Sequence, residues 1–136
     1  MINFHSGLLG VSETSSDMRD LLDSETHDVR AAEAVALFCY QIKKCIGAFA
    51  AALGGLDTLV FAGGIGENAP RVRTQICEAL HFLGIEIDDD RNAANGDVIC
   101  VPGGRVTVRV IRTDEELVIA RSVHEILGLN GKSEAP

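Results

Sequence analysis

Positive charge is what this sequence has least of. Its 136 residues carry 12 Lys and Arg against 20 Asp and Glu, a net charge of −8 with a pI near 4.8, and only Lys43-Lys44 stand together. A nucleic-acid or anionic-membrane surface needs clustered cations to meet phosphates, so neither is expected as a partner. Cys39, Cys45, Cys77 and Cys100 form no Cys-x-x-Cys pair and lie in apolar stretches, which reads as buried reduced thiols rather than a zinc site or disulfide frame. No uninterrupted apolar run approaches the roughly 18 residues of a membrane helix. The N-terminus also lacks the basic and apolar regions of a signal peptide, so a cytoplasmic location is expected. His5, His27, His81 and His124 have no acid or nucleophile at useful spacing, which leaves triad and metal readings without support. Internal repeats and low-complexity segments are absent.

What is present is a 46% hydrophobic chain of one-domain size, long enough to bury a core. Its most informative run is Leu59-Val60-Phe61-Ala62-Gly63-Gly64-Ile65-Gly66-Glu67-Asn68-Ala69-Pro70. An apolar strand ends in three glycines, and a polar pair and a proline then open a helix. Glycines let a ligand approach main-chain N–H groups, and the N–H groups and positive dipole end of a helix favour an anion, so a phosphorylated ligand is expected. A Walker A loop is excluded because no lysine follows the glycines. The dinucleotide fingerprint is met by Gly64, Gly66 and Ala69, with Glu86 or Asp88 about 20 residues on for a ribose hydroxyl. An NAD-binding module therefore stays open at this point.

Around that run the chain reads as α/β. Residues 6–22 open with the apolar patch Gly7-Leu8-Leu9-Gly10 and continue as a short helix. From Asp28 as N-cap, Val35, Phe38, Ile42, Cys45, Phe49 and Leu53 recur at threes and fours and Gly54-Gly55 close the pattern, which predicts a long Ala-rich core helix. Residues 58–62 form a short strand, 69–82 a helix, 88–96 a polar loop, and 98–101 with 105–111 a hairpin across Pro102-Gly103-Gly104. Val106, Val108 and Val110 share one face of the last strand. Thr113-Asp114-Glu115-Glu116 then launches an amphipathic helix with Leu117, Ala120, Val123 and Leu127 inward. So few strands leave helical faces uncovered, and strands upstream or a partner are expected to complete the sheet.

Two charged clusters are candidates for chemistry. Thr113-x-x-Glu116 is a capping box, which accounts for Glu116 but not for Glu115 or Asp114, carboxylates at the carboxyl end of a strand where a magnesium accompanying a nucleotide could sit. Asp17 and Arg19 stand where a carboxylate could take ribose hydroxyls and an arginine could meet a base or ribose. As isolated charges both clusters also read as solvated surface.

Taken together and in order, Ser6-Gly7-Leu8-Leu9-Gly10, Ser15-Ser16-Asp17-Met18-Arg19, the Leu59 to Asn68 run, Phe82-Leu83-Gly84-Ile85 and Thr113-Asp114-Glu115-Glu116-Leu117 resemble acetate kinase. The resemblance spans about residues 6–127. It implies part of an actin-like, ribonuclease H-like ATPase domain of the acetate and sugar kinase superfamily, with helices packed on a small mixed sheet. It also implies ATP or ADP and Mg2+ as cofactors, and a reaction that interconverts acetate plus ATP with acetyl phosphate plus ADP. Position by position, Asp17, Met18 and Arg19 match the family's segment beside the adenosine, Gly64, Ile65, Gly66, Glu67 and Asn68 its second nucleotide-binding segment, and Glu115 its magnesium-associated glutamate.

Only about the last third of such a kinase is matched, so residues 1–136 are expected to be a carboxyl-terminal nucleotide-binding portion, with 129–136 as a flexible tail. The groups that stabilise the transferring phosphoryl belong to the amino-terminal domain, and without them the chain alone is expected to be inactive. Adenine nucleotide, the amino-terminal kinase domain and a second copy in a homodimer are the implied partners. A non-catalytic assembly unit is the remaining alternative.

Overall fold

The computed structural model describes residues 6–127. The expected tail at 129–136 lies outside them. Element order is α1 (Gly7–Ser12), α2 (Met18–Ser24), α3 (Val29–Leu53), β1 (Thr58–Ala62), α4 (Gly63–Asn68), α5 (Pro70–Cys77), α6 (Asp89–Ala93), β2 (Thr107–Ile111) and α7 (Glu115–Ile126). A 3-10 turn at His81–Leu83 follows α5. The α/β class holds.

Local signals place α3 as anticipated. Asp28 accepts from the N–H groups of Arg30 and Ala31, and Gly54 terminates the helix at φ 74°, the left-handed conformation that glycine adopts without a Cβ penalty. Its burial is uneven, however. Ala31, Ala34, Val35 and Cys39 pack under α1, α2 and α5, whereas Phe49 and Leu53 are 67% and 75% exposed. Burial is densest in the first half of α3; in the second half Ala50 is buried and Ile42 and Ile46 pack against the core, while Phe49 and Leu53 face outward. The exposed Cys45 likewise departs from the buried-thiol reading, which holds for Cys39, Cys77 and Cys100.

α3 adds to the reading of membrane length. Within its 25 residues an 18-residue window of mean hydropathy 1.3 is long and apolar enough to cross a membrane, a length and composition that core helices of soluble proteins share. It is not an unbroken apolar run, because Lys43-Lys44 stand inside the helix.

The sheet is smaller than the hairpin reading suggests. β1 and β2 pair in parallel, Thr58 opposite Thr107 through Ala62 opposite Ile111. The 98–101 segment contributes single antiparallel bridges, Val98 to Arg109 and Ile87 to Cys100, so a mixed sheet exists only at that edge. Val106, Val108 and Val110 do share the buried face and meet Val72 and Ile76 of α5 in one core.

Two further expectations shift. The helix of 69–82 stops at Cys77, where Glu78 turns extended and Ala79 takes φ 64°. The polar loop contains α6, capped by Asp88 accepting from Arg91 N–H. Leu117, Ala120, Val123 and Leu127 of α7, expected inward, are all exposed.

Candidate nucleotide cleft

The first wall of the candidate site is the start of α2. The buried Ser12 hydroxyl donates to the Ser15 carbonyl at 2.9 Å and accepts from the Thr14 and Ser15 N–H groups, folding the turn that leads to Asp17. Asp17 then caps α2, its Oδ1 accepting from Arg19 N–H at 2.9 Å. The Arg19 guanidinium also reaches both oxygens of that carboxylate, with Nη2 to Oδ2 at 2.5 Å. The hydrogen bonds from Arg19 hold the Asp17 carboxyl at a pKa of about 2. Asp17 and Arg19 thus satisfy each other at the rim, while Met18 between them is buried.

The second wall is α4. β1 runs into it without an intervening loop, because Gly63 takes φ 71° and turns the chain in one residue. Gly66 lies against β1, where an added Cβ would meet the Phe61 carbonyl carbon at 3.2 Å. The glycines expected as a loop before the helix of 69–82 instead form α4, six residues long, whose first N–H, that of Gly63, donates to Glu67 Oε1 at 2.9 Å. The same Oε1 accepts from the Thr113 N–H at 2.8 Å and the Thr113 hydroxyl at 2.9 Å. Those bonds hold the Glu67 carboxyl below its usual range.

Between the walls is a cleft of about 530 Å3. Ser16, Asp17, Met18, Arg19 and Leu22 line it from α2; Gly64, Ile65, Asn68 and Ala69 line it from α4. Two segments separated by over forty residues in the sequence meet there. Arg71 of α5 ties α5 to the end of α2, reaching the Leu22 carbonyl at 3.5 Å and the Glu25 carboxylate. Size and lining suit a small ligand with one apolar face and a few directed polar groups. Of the residues expected at the site, Gly66 and Glu67 do not line this cleft. Gly66 packs on β1, and Glu67 faces a separate polar cavity of about 350 Å3 with Asp97 and Arg112, to which Asn68 also contributes.

Sequence reasoning missed Arg73. It is fully buried, and each of its five N–H donors has an oxygen. Nε reaches Asn92 Oδ1 at 2.7 Å; Nη1 reaches the Gly66 and Glu67 carbonyls at 2.8 and 3.1 Å; Nη2 reaches the Asn92 carbonyl and Asn95 Oδ1 at 2.8 and 2.6 Å. Burial pulls its pKa down. The guanidinium holds the end of α4 against α6. An arginine on the apolar stripe of α5, four residues before Cys77 and one after Val72, was the available signal.

The family model described as "Acetokinase family" matches residues 1–121. The chain belongs to that family. An acetate kinase of Symbiobacterium thermophilum is 46% identical over 130 residues, covering 93% of this chain and 33% of that protein. A propionate kinase of Escherichia fergusonii is 48% identical over 127 residues, covering 93% and 31%. Among solved structures, Porphyromonas gingivalis acetate kinase superposes with a TM-score of 0.83 at 45% identity, covering 93% of this chain and 33% of that one. The chain therefore spans about a third of the length of the acetokinase relatives it matches.

Among the described residues no group of three or more His, Cys, Asp or Glu side chains is placed to hold a metal. Glu115 opens α7 directly after β2 and Thr113, but its side chain lies outside the described residues. Asp114, not Thr113, caps that helix, accepting from Leu117 N–H at 2.8 Å, so the N-cap lies one residue later than the Thr-x-x-Glu spacing suggests and the reciprocal capping box does not form. The Thr113 hydroxyl is engaged by Glu67 instead.

Proposed function

We propose that this chain is the carboxyl-terminal nucleotide-binding part of an acetate or propionate kinase, acting in the cytoplasm and taking the adenosine end of ATP or ADP in the cleft between α2 and α4. The observation that carries the reading is the meeting of 16–19 with Gly64, Ile65 and Asn68 in one cavity. Met18, Leu22 and Ile65 offer apolar surface to a base, and Asp17, Arg19 and Asn68 offer polar groups to a ribose. The dinucleotide alternative loses ground because Gly66 packs on β1 instead of facing the cleft.

Magnesium, when bound with nucleotide, neutralises phosphate charge; Glu115 is the residue this reading assigns to it. Phosphoryl transfer requires groups around the transferring phosphate. Among the described residues the cation lining the cleft, Arg19, is paired with Asp17, so in this reading the chain binds nucleotide without turning it over. The exposed apolar residues of α3 and α7 belong in this reading to contacts with an amino-terminal kinase domain or a second copy.

Calorimetric titration with ADP, ATP and NAD tests it. Saturable ADP binding that Asn68→Ala weakens is the expected result, and preference for NAD overturns the reading. Acetyl phosphate formed by the purified chain from acetate and MgATP, and absent from Glu115→Ala, overturns the inactivity.

A further inference from the structure

Glu67 was expected to touch the nucleotide, yet its carboxylate is turned away from the cleft. One oxygen, Oε1, collects three hydrogen bonds at 2.8–2.9 Å: from the first N–H of α4, and from the N–H and hydroxyl of Thr113 at the β2–α7 junction. Among the described hydrogen bonds, the two from Thr113 are the ones that join residues 113–127 to the rest of the protein. Every described side chain of α7 is exposed, so little else fixes its direction. The other end of α4 is fastened by Arg73 through the Gly66 and Glu67 carbonyls. α4, which carries Gly64, Ile65 and Asn68 into the cleft, is thereby pinned at both ends, once to α6 and once to the start of α7.

We infer that Glu67 is a positioning residue: its carboxylate fastens the cleft wall α4 to the β2–α7 junction, so that nucleotide affinity and the setting of α7 depend on one shared carboxylate. This rests on the proposed nucleotide site. Three donors converging on one anionic oxygen make the bond strong, because hydrogen bonds to charged groups are shorter and stronger than neutral ones. Their convergence also explains why a residue pointing away from the ligand stands inside the nucleotide-binding motif. Glutamate reaches from the last turn of α4 back to its first N–H, and only an acceptor at that distance can meet Thr113 as well. Aspartate is one methylene too short to do both.

The test separates affinity from stability. ADP affinity is measured calorimetrically, and the unfolding midpoint by circular dichroism, on the unsubstituted chain and on Glu67→Ala, Glu67→Gln and Thr113→Val. Positioning predicts that Glu67→Ala weakens ADP binding about tenfold, Thr113→Val about threefold, and that Glu67→Gln, which keeps an acceptor oxygen but not its charge, recovers about half of the loss in binding free energy. Hydrogen exchange across 115–127 should quicken in Glu67→Ala.

Midpoints that fall while ADP affinity stays at the unsubstituted value in Glu67→Ala and Thr113→Val make Glu67 merely structural and overturn the inference. Should Glu67→Ala fail to fold, Thr113→Val alone decides by the same criterion. An unsubstituted chain that binds no ADP overturns the proposed function and the positioning role with it, whereas intact binding matched by the variants overturns the positioning role alone.

Discussion

Removing the Arg73 guanidinium is the perturbation whose size the structure sets most closely. Arg73→Met keeps the apolar stem and deletes five donors. Two of the abandoned acceptors, Oδ1 and the carbonyl of Asn92, belong to a residue only 3% exposed. Each buried acceptor stranded in this way costs about 1–3 kcal/mol. The carbonyls of Gly66 and Glu67 and the side chain of Asn95 lie nearer solvent, where water replaces much of what is lost.

Deleting a desolvated cation returns part of the cost, since burying an ion is itself unfavourable. The net destabilisation is therefore about 2–4 kcal/mol, a large share of the roughly 5–15 kcal/mol typical of a domain. For a chain of this length that lowers the thermal midpoint by about 10 °C, read by far-UV circular dichroism. Arg73→Lys should recover only part, because an ammonium presents three donors and no fork. An Arg73→Met midpoint within about 2 °C of the unsubstituted chain refutes the argument that the guanidinium stabilises this junction.

The remaining predictions concern the cleft and the thiols. Gly66→Ala should destabilise by about 1–3 kcal/mol in thermal melts, because the new Cβ would press on Phe61 at 3.2 Å. Gly64→Ala, with open space at its Cβ, should keep or raise the midpoint while weakening ADP binding in a titration. The Asp17 carboxyl, held at about 2 by Arg19, has a folded value below its ordinary one. Its contribution is thus complete above the usual carboxylate range and lost as pH falls through about 2; an NMR titration of Arg19→Ala should return it toward 3.8. Cys77 is pushed up to about 12 by burial and Cys39 is also raised, whereas Cys45 is exposed. A thiol reagent should label one cysteine in the folded chain, Cys45→Ser should abolish that labelling, and denaturant should release all four.

Short-range signals were legible and long-range ones were not. Asp28 and Gly54 marked the ends of α3 because a cap is satisfied within one helical turn. Alternation from Val106 to Val110 marked the face of β2 that is buried. The same reasoning failed for Phe49, Leu53 and Leu127, because periodicity reports which face is apolar and not whether anything covers it. It also failed at Thr113, where a Thr-x-x-Glu spacing pointed to Glu116 while the hydroxyl bonds Glu67, 46 residues away.

By itself the sequence determined the α/β class, the places of α3, β1, α5, β2 and α7 and, through five ordered motifs, the resemblance to acetate kinases. Spacing and capping are properties of neighbouring residues, so they survive without a fold. Tertiary structure alone decided that α2 and α4 share a cleft, that Gly66 and Glu67 stand behind its wall, and that a buried arginine supports it. Those facts depend on which elements meet across tens of residues, and such meetings follow from the closing of one core, which no local pattern records.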